Sequence, residues 1–393
     1  MADWDQHFER DFRVSHALFC QQALELGMQV DISPAFGVGA DGKPVHCATA
    51  KYEPRACGDS CLVISTGLHG VEALFGSAVL SQCLEDWRRV SLPDCKLILI
   101  HALNPFGFSH FRRVDDANRD LNRNFRDWQR GEAHELVPAN ELYAKLNPLL
   151  NPKKGQRSNR WYFWLRALMA IRKYGFIQVR DAVAAGQYDF PEGLFFGGRG
   201  PAPQVAWLEE RFPQWLNGVT RCLQLDLHTG LGRNGELQLF WESKLDATNR
   251  ERLVDCIPPK AKLTELRQDA GRQGSDRVYA ANGSFGSWMV EKRFVPDFHF
   301  AVAEFGTYAS LRVLHALVQE NAYFDETSLA QVGSSKSGQV QDNDRKGRRA
   351  CLPEVTAAKE NLLEMFSPAS QTWRRTVLEE SRRIVEGGIR FLR

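Results

Sequence analysis

Four short apolar runs constrain this chain more than any other feature in it. They are Cys61 to Ser65 (CLVIS), Lys96 to His101 (KLILIH), Leu223 to Leu227 (LQLDL) and Phe300 to Glu304 (FAVAE). Each has the length of a strand, and Leu97 to Ile100 within KLILIH is continuously apolar, as a strand covered on both faces requires. Strands of that kind belong to a sheet sandwiched by helices, and open α/β sheets gather their ligands beyond the carboxyl ends of the strands. The four runs all deliver polar residues there. The first leads into Thr66-Gly67-Leu68-His69-Gly70-Val71-Glu72, the second into Asn104-Pro105-Phe106-Gly107-Phe108, and the third into His228-Thr229-Gly230, while the fourth ends on Glu304 itself.

His69 and Glu72 stand at the turn where a helix begins, since Glu72 to Trp87 carries apolar residues at three- and four-residue spacing. A His and a carboxylate three residues apart at such a turn can face one point, and together they are two thirds of a catalytic zinc site. The pair by itself also fits a plainer reading, a helix-start carboxylate complementing the macrodipole beside an ordinary polar histidine. The rest of the chain has to decide between them.

Composition narrows the field. A chain of 393 residues with 43% hydrophobic and 25% charged residues is ordinary globular material for one large or two medium domains. Fifty basic and 48 acidic residues give a net charge of +2, which leaves no footprint for nucleic acid or an anionic membrane as partner. The charged amino terminus, MADWDQHFERDF, shows no secretory signal, and no run approaches the roughly 18 apolar residues of a spanning helix. Nine cysteines without a CxxC read as reduced thiols in a cytoplasmic protein, Cys57 and Cys61 being too weakly patterned for a metal pair.

The remaining chain is expected to supply a helix over Trp4 to Leu26, ended by Gly27, and then an edge hairpin whose turn is Ala40-Asp41-Gly42-Lys43. The NPFGF turn is followed by a dense polar stretch from Arg112 to Phe125 that contains the carboxylate-recognising pair Asn122-Arg123. Residues 140–186 are helical and aromatic, with Trp161, Trp164, Leu165, Leu168 and Met169 on more than one face, a pattern of core or interface packing. The glycine-rich stretch from Gly186 to Gly200 lacks the spacing of a phosphate cradle. Residues 331–349 read as a mobile loop, and a helical tail from Pro353 is broken near Ser367-Pro368.

In order, HxxE, NPxGF, an Arg ahead of DLNRNF, a strand ending in DLH and a strand ending in Glu resemble the zinc carboxypeptidase family. The closer resemblance is to a bacterial domain-of-unknown-function branch near succinylglutamate desuccinylase and aspartoacylase, and it covers roughly residues 55–310. It implies a single α/β domain over 1–393 with a carboxypeptidase-like three-layer sandwich and a mixed central sheet of about eight strands. The core would span about 45–330, with the amino-terminal helix and hairpin (1–45) and the carboxy-terminal helices (353–393) as additions.

The same resemblance assigns one Zn2+ to His69, Glu72 and His228, and the catalytic carboxylate to Glu304. Two imidazoles and a carboxylate leave a fourth tetrahedral position open, as a catalytic zinc requires. Arg113, or its neighbour Arg112, matches the oxyanion arginine; Asn122 and Arg123 match the pair that holds a substrate carboxylate. Tyr279 matches a mobile active-site tyrosine, at the family's interval from Trp288. Gly286 and Ser287 depart from the residues many relatives carry, which leaves side-chain preference open. The implied activity is zinc-dependent hydrolysis of an amide bond next to a free carboxylate, on a small peptide or an N-acyl amino acid. Carboxypeptidase and N-acyl-amino-acid deacylase share every residue named, and a zinc-site binding module without turnover is the third reading. Oligomeric state is not legible.

Overall fold

A computed structural model of the chain describes residues 4–54, 58–131, 137–152, 160–266, 282–323 and 353–393. Eight strands form one sheet: β1 (Gln29–Val38), β2 (Pro44–Tyr52), β3 (Ser60–Thr66), β4 (Lys96–His101), β5 (Arg221–Thr229), β6 (Leu237–Trp241), β7 (Lys262–Glu265) and β8 (Asp297–Phe305). Their spatial order is β1-β2-β4-β3-β5-β8-β6-β7. The four apolar runs of the sequence are the four central strands, β4-β3-β5-β8, all parallel. An antiparallel hairpin extends one edge, and β6, antiparallel to β8, begins the other. The expected mixed sheet of about eight strands is therefore present.

The helices are α1 (Phe12–Glu25), α2 (Ala73–Arg89), α3 (Pro105–His110), α4 (Glu141–Leu150), α5 (Arg160–Tyr174), α6 (Phe176–Ala185), α7 (Pro203–Trp215), α8 (Ala247–Cys256), α9 (Phe285–Lys292), α10 (Ser310–Tyr323), α11 (Pro353–Phe366) and α12 (Gln371–Leu392). Alternation along the central strands separates two cores. Leu62, Ile64, Leu223 and Leu225 pack with α1, α2 and α12, whereas Cys61, Val63, Cys222 and Phe300 pack with α7 and α9. Side chains on successive strand residues point to opposite faces, so this division is the three-layer sandwich read residue by residue. The carboxy-terminal tail lies directly on β3 and β5, and its Trp373 Nε1 donates to the Gly306 carbonyl at 2.9 Å.

Two local expectations are corrected. The first helix does not run from Trp4 to Leu26: a short 3-10 turn, Trp4–His7, stops, and α1 starts afresh at Phe12. The reason is Asp11, whose carboxylate accepts from the backbone N–H groups of Arg13 and Val14 and so caps a new helix. The NPFGF stretch is not only a turn but a short helix, with Pro105 at its first position and the Asn104 side chain accepting from Gly107 N–H. The loop expected over 331–349 lies outside the described residues.

Topology fixes where a site can form. From β3 the chain crosses through α2 to β4 on one side, and β5 pairs with β3 on the other. The crevice beyond the carboxyl ends of β3 and β5 is therefore the switch point of the sheet, the position at which such folds bind ligands.

Candidate metal centre

The turn after β3 is fixed by close backbone contact. Gly67 adopts φ +66°, a conformation costly for a side-chain-bearing residue. Gly70 lies against Gly107 so tightly that a Cβ on it would come within 2.2 Å of the Gly107 backbone. Asn104 completes the brace: its N–H donates to the Gly67 carbonyl at 2.8 Å, and its side-chain amide donates to the Arg113 carbonyl. The NPFGF segment thus holds the His69–Glu72 turn in place.

Three buried side chains meet there, and His69, Glu72 and His228 offer ligand atoms within 4.8 Å of one another. His69 Nδ1 lies 2.8 Å from Glu72 Oε1, and His228 Nδ1 lies 3.0 Å from Glu72 Oε2, which also accepts from Thr229 N–H. Both Nδ1 atoms therefore face one carboxylate, and both Nε2 atoms face away from it toward another. His228 Nε2 sits 2.6 Å from Asp226 Oδ2, and His69 Nε2 sits 3.2 Å from Asp120 Oδ1. A carboxylate behind each imidazole fixes the tautomer that leaves Nδ1 free to coordinate. The donor set fits a divalent cation such as zinc, with two imidazoles, one carboxylate and two supporting carboxylates.

The electrostatics agree. Burial alone would raise the Glu72 carboxyl, but His69 and His228 outweigh it and hold it well below the usual range. Burial likewise opposes ionisation of Asp120, and Arg113 and His69 overcome it. For His228 burial disfavours the charged form, yet Asp226 and Glu72 raise the imidazole well above its ordinary value. A cation bound at Nδ1 displaces a proton from that ring, so its uptake strengthens as pH rises.

Glu304 stands beside this cluster because β8 pairs with β5 in register, His228 opposite Glu304. Leu231 N–H donates to Glu304 Oε1 at 2.8 Å. Burial first, and then the negative charge of Glu72, push the Glu304 carboxyl up to about 8. The adjacent arginines separate cleanly. Arg113 reaches the cluster, with Nε donating to Asp120 Oδ2 at 2.9 Å, Nη2 at 2.7 Å from His69 Nε2 and Nη1 at 3.6 Å from Glu72 Oε1. When His69 binds a cation through Nδ1, its Nε2 carries the proton and donates to Asp120 rather than accepting from Arg113. Arg112 turns the other way, fully buried, with Nε 3.0 Å from Glu320 of α10.

Asn122 and Arg123 lie in the same segment but are engaged otherwise. Asn122 Oδ1 accepts from Phe285 N–H at 2.9 Å, at the start of α9. Arg123 donates to the carbonyls of Asn122 and Ala184, and packs on the Gly186 backbone. None of Asp115, Asp116 and Asp120 hydrogen-bonds to it among the described residues; Asp115 is taken by Arg119 at 2.7 Å. Arg123 Nε is buried without a hydrogen-bond partner among those residues. Tyr279 lies outside the described residues. Sequence reasoning missed Asp226 and Asp120. The signal for Asp226 was present, since it precedes His228 by two in a strand and so shares its face. Asp120, in a loop, had no such signal.

A family described as protein of unknown function, DUF2817, matches residues 8–380. The chain belongs to this family. No curated protein matches it. Among solved structures, one of a candidate metallopeptidase from Shewanella amazonensis shares 15% identity, at a TM-score of 0.40, over 82% of this chain and 92% of that one. Bovine thrombin-activatable fibrinolysis inhibitor, solved with tick carboxypeptidase inhibitor, gives 10%, 0.44, 84% and 99% for the same measures. Succinylglutamate desuccinylase from Chromobacterium violaceum gives 14%, 0.36, 81% and 75%. At these identities no residue role passes from those proteins to this DUF2817 member.

Proposed function

We propose that this DUF2817 protein is a zinc-dependent hydrolase of an amide bond adjacent to a free carboxylate, acting as a metallocarboxypeptidase. The observation that carries the reading is the convergence, at one end of β3, β5 and β8, of a His/Glu/His ligand set, a separate buried carboxylate and a guanidinium. Zinc bound there would lower the pKa of a water to about 7 and polarise a carbonyl.

The chain's own residues do the rest. Glu304 takes the proton of the attacking water as its oxygen adds to the carbonyl carbon, and returns a proton to the nitrogen as the C–N bond breaks. Burial and the charge of Glu72 raise the proton affinity of this carboxyl, which suits its taking up the water's proton. Arg113 donates to the carbonyl oxygen as charge builds on it. Asp226 and Asp120 hold the imidazoles in register through their Nε2 atoms. Asn122 and Arg123 take the substrate carboxylate, Asn122 through its amide N–H groups and Arg123 by releasing the Asn122 and Ala184 carbonyls to which it donates here.

A deacylase of N-acyl amino acids uses the same atoms and is the alternative; a binding module without turnover is the weaker one, since it has no use for Glu304. The substrate is a small peptide or N-acyl amino acid, and nucleic acid has no place in the reading. No helix among the described residues is long and apolar enough to cross a membrane. The described cysteines are all free thiols, in keeping with a cytoplasmic setting.

A panel of dipeptides and N-acyl amino acids, each with its amidated counterpart, tests the proposal. Free carboxylates should be cleaved, and amidation should lower kcat/KM by about 10²-fold or more, because a guanidinium loses a charged, bidentate acceptor. Arg123→Ala should erase that preference. Equal kcat/KM for free and amidated substrates would overturn the carboxylate clamp and leave an endo-acting amidase.

A further inference from the structure

We propose that the outer face of α5, continued by the start of α6, docks on the surface of an anionic lipid bilayer. A helix on the outside of a soluble domain normally turns its polar face to water. In α5 the order is reversed. Phe163 and Ala167 face inward, where Phe163 and Trp164 pack on His315 of α10, and the opposite stripe carries Trp161, Leu165 and Leu168, which are 82%, 58% and 64% exposed. Met169, Phe176 and Ile177 extend that stripe, all of them exposed. Positions 161, 165, 168 and 172 follow the three- and four-residue spacing of one helix face, so Arg172 closes the apolar stripe at its carboxyl end.

Charge selects the occupant. Residues 160–180 contain five Lys and Arg and no Asp or Glu, so this short stretch holds +5 of a chain whose total is +2 and the remainder carries −3; of the five, Arg180 is paired with Asp181. The chain-wide balance, which gave no reason to expect an anionic surface as partner, averages over this asymmetry. Within α5 the cations are not neutralised internally: among the described residues no carboxylate forms an ion pair with Arg166, Arg172 or Lys173. Arg166 donates to the Tyr162 hydroxyl at 2.6 Å, and Lys173 lies over the Tyr174 ring.

A convex ridge of Trp, Leu, Met and Phe flanked by Arg and Lys is the pattern of an interfacial helix. Its apolar side chains enter the acyl boundary, and its cations reach back to anionic headgroups. Trp161, at one end of the stripe, suits the headgroup level. A two-fold contact between copies of this chain sets the same patch against itself and places like charges face to face, which disfavours that occupant. The surface also communicates with the centre described above. Along α6, exposed Phe176 lies about 12 Å from Ala184, whose carbonyl accepts from Arg123. A bilayer on this face therefore lies one short helix from the carboxylate-binding corner.

Vesicle flotation with the full-length protein tests this, using phosphatidylcholine vesicles with and without a minority of phosphatidylglycerol. Binding to the anionic vesicles should exceed binding to neutral ones by about tenfold or more, and should weaken as salt is raised. Trp161→Ser with Leu168→Gln should lower it by about tenfold, and Arg172→Glu with Lys173→Glu should remove the anionic preference. All four positions are on the surface, so thermal melts should match wild type, and the charge-reversal variant keeps the apolar stripe intact as an independent check. Equal or no binding to the two vesicle types, or unchanged binding by the charge-reversed protein, overturns the proposal. So does a concentration-dependent dimer in ultracentrifugation that Trp161→Ser dissolves, which would assign the face to a second copy.

Discussion

The ends of β3, β5 and β8 and the polar segment from Arg112 to Arg123 contribute equally to the proposed site, yet they are built on different principles. His228 and Glu304 stand on paired strands, opposite each other in a ladder that leaves neither backbone free to shift. The polar segment has no ladder. Its residues are positioned by ion pairs and carbonyls, and neighbours in sequence diverge, Arg112 toward Glu320 and Arg113 toward Glu72 and Asp120. Strand ends fix ligand geometry to within a bond's tolerance; loops fix identity through partners, and a change of partner changes the role.

The largest expected effect tests the strand half. His228→Ala or His69→Ala should reduce bound zinc, by elemental analysis, from one per chain to a small fraction, with the protein still folded by circular dichroism. Full zinc in both variants would place the ion elsewhere. Next comes Glu304→Gln, which keeps shape but cannot accept a proton. Zinc content and KM should hold while kcat drops by about 10²-fold or more, and near-wild-type turnover would make Glu304 a structural carboxylate.

The loop half is probed by exchanging its adjacent arginines one at a time. Arg112→Met leaves buried Glu320 with Lys359, 3.8 Å away, and should cost about 3 kcal/mol in denaturant melts while leaving zinc in place. Arg113→Met should lower kcat/KM as well as stability, because it also removes a partner of buried Asp120; the loss of kcat/KM is what sets it apart from Arg112→Met. If the two phenotypes are exchanged, the division between the arginines is wrong.

The smallest effect concerns a third strand end. β4 also finishes in a histidine, but His101 faces α1, with Nε2 2.9 Å from Ser77 Oγ and 3.1 Å from Ser15 Oγ, and stacks on Phe19. Burial, then His16, push its pKa down to about 3. Because the unfolded chain binds a proton near pH 6.5 and the folded one does not, this histidine's contribution is complete above pH 6.5 and is lost as pH falls. The loss should reach about 2 kcal/mol by pH 5. His101→Gln should flatten that slope, and an unchanged slope would mean the titrating group is another.

Strand ends were also where the sequence was readable. Continuous apolar runs announce buried parallel strands, and a His or Glu at the carboxyl end of such a run has its location assigned by topology alone. The places of His69, Glu72, His228 and Glu304 at strand ends were legible for that reason, and Asp226 could have been; their grouping as a ligand set with a separate carboxylate came from the family resemblance. The two short outer strands β6 and β7 went unread, because Leu237–Trp241 and Lys262–Glu265 are too brief to show a period. Asp120 went unread for a different cause. Its partners Arg113 and His69 are set by how a loop closes in space, and nothing in residue spacing records that.

Gly70 and Gly107 have a consequence for how sequences of this kind can vary. Neither has a side chain, a charge or a role in proton transfer, and they lie on different elements, yet their backbones touch. Inheritance sees them as one character. An alanine at Gly70 pushes the His69–Glu72 turn off the Asn104 brace, and no neighbouring side chain is available to shrink in compensation, because the obstacle is main chain. A library of random variants selected for activity should therefore keep both glycines as firmly as the proposed ligands His69, Glu72 and His228, and a catalogue of invariant positions would rank them with the chemistry although they only make room for it.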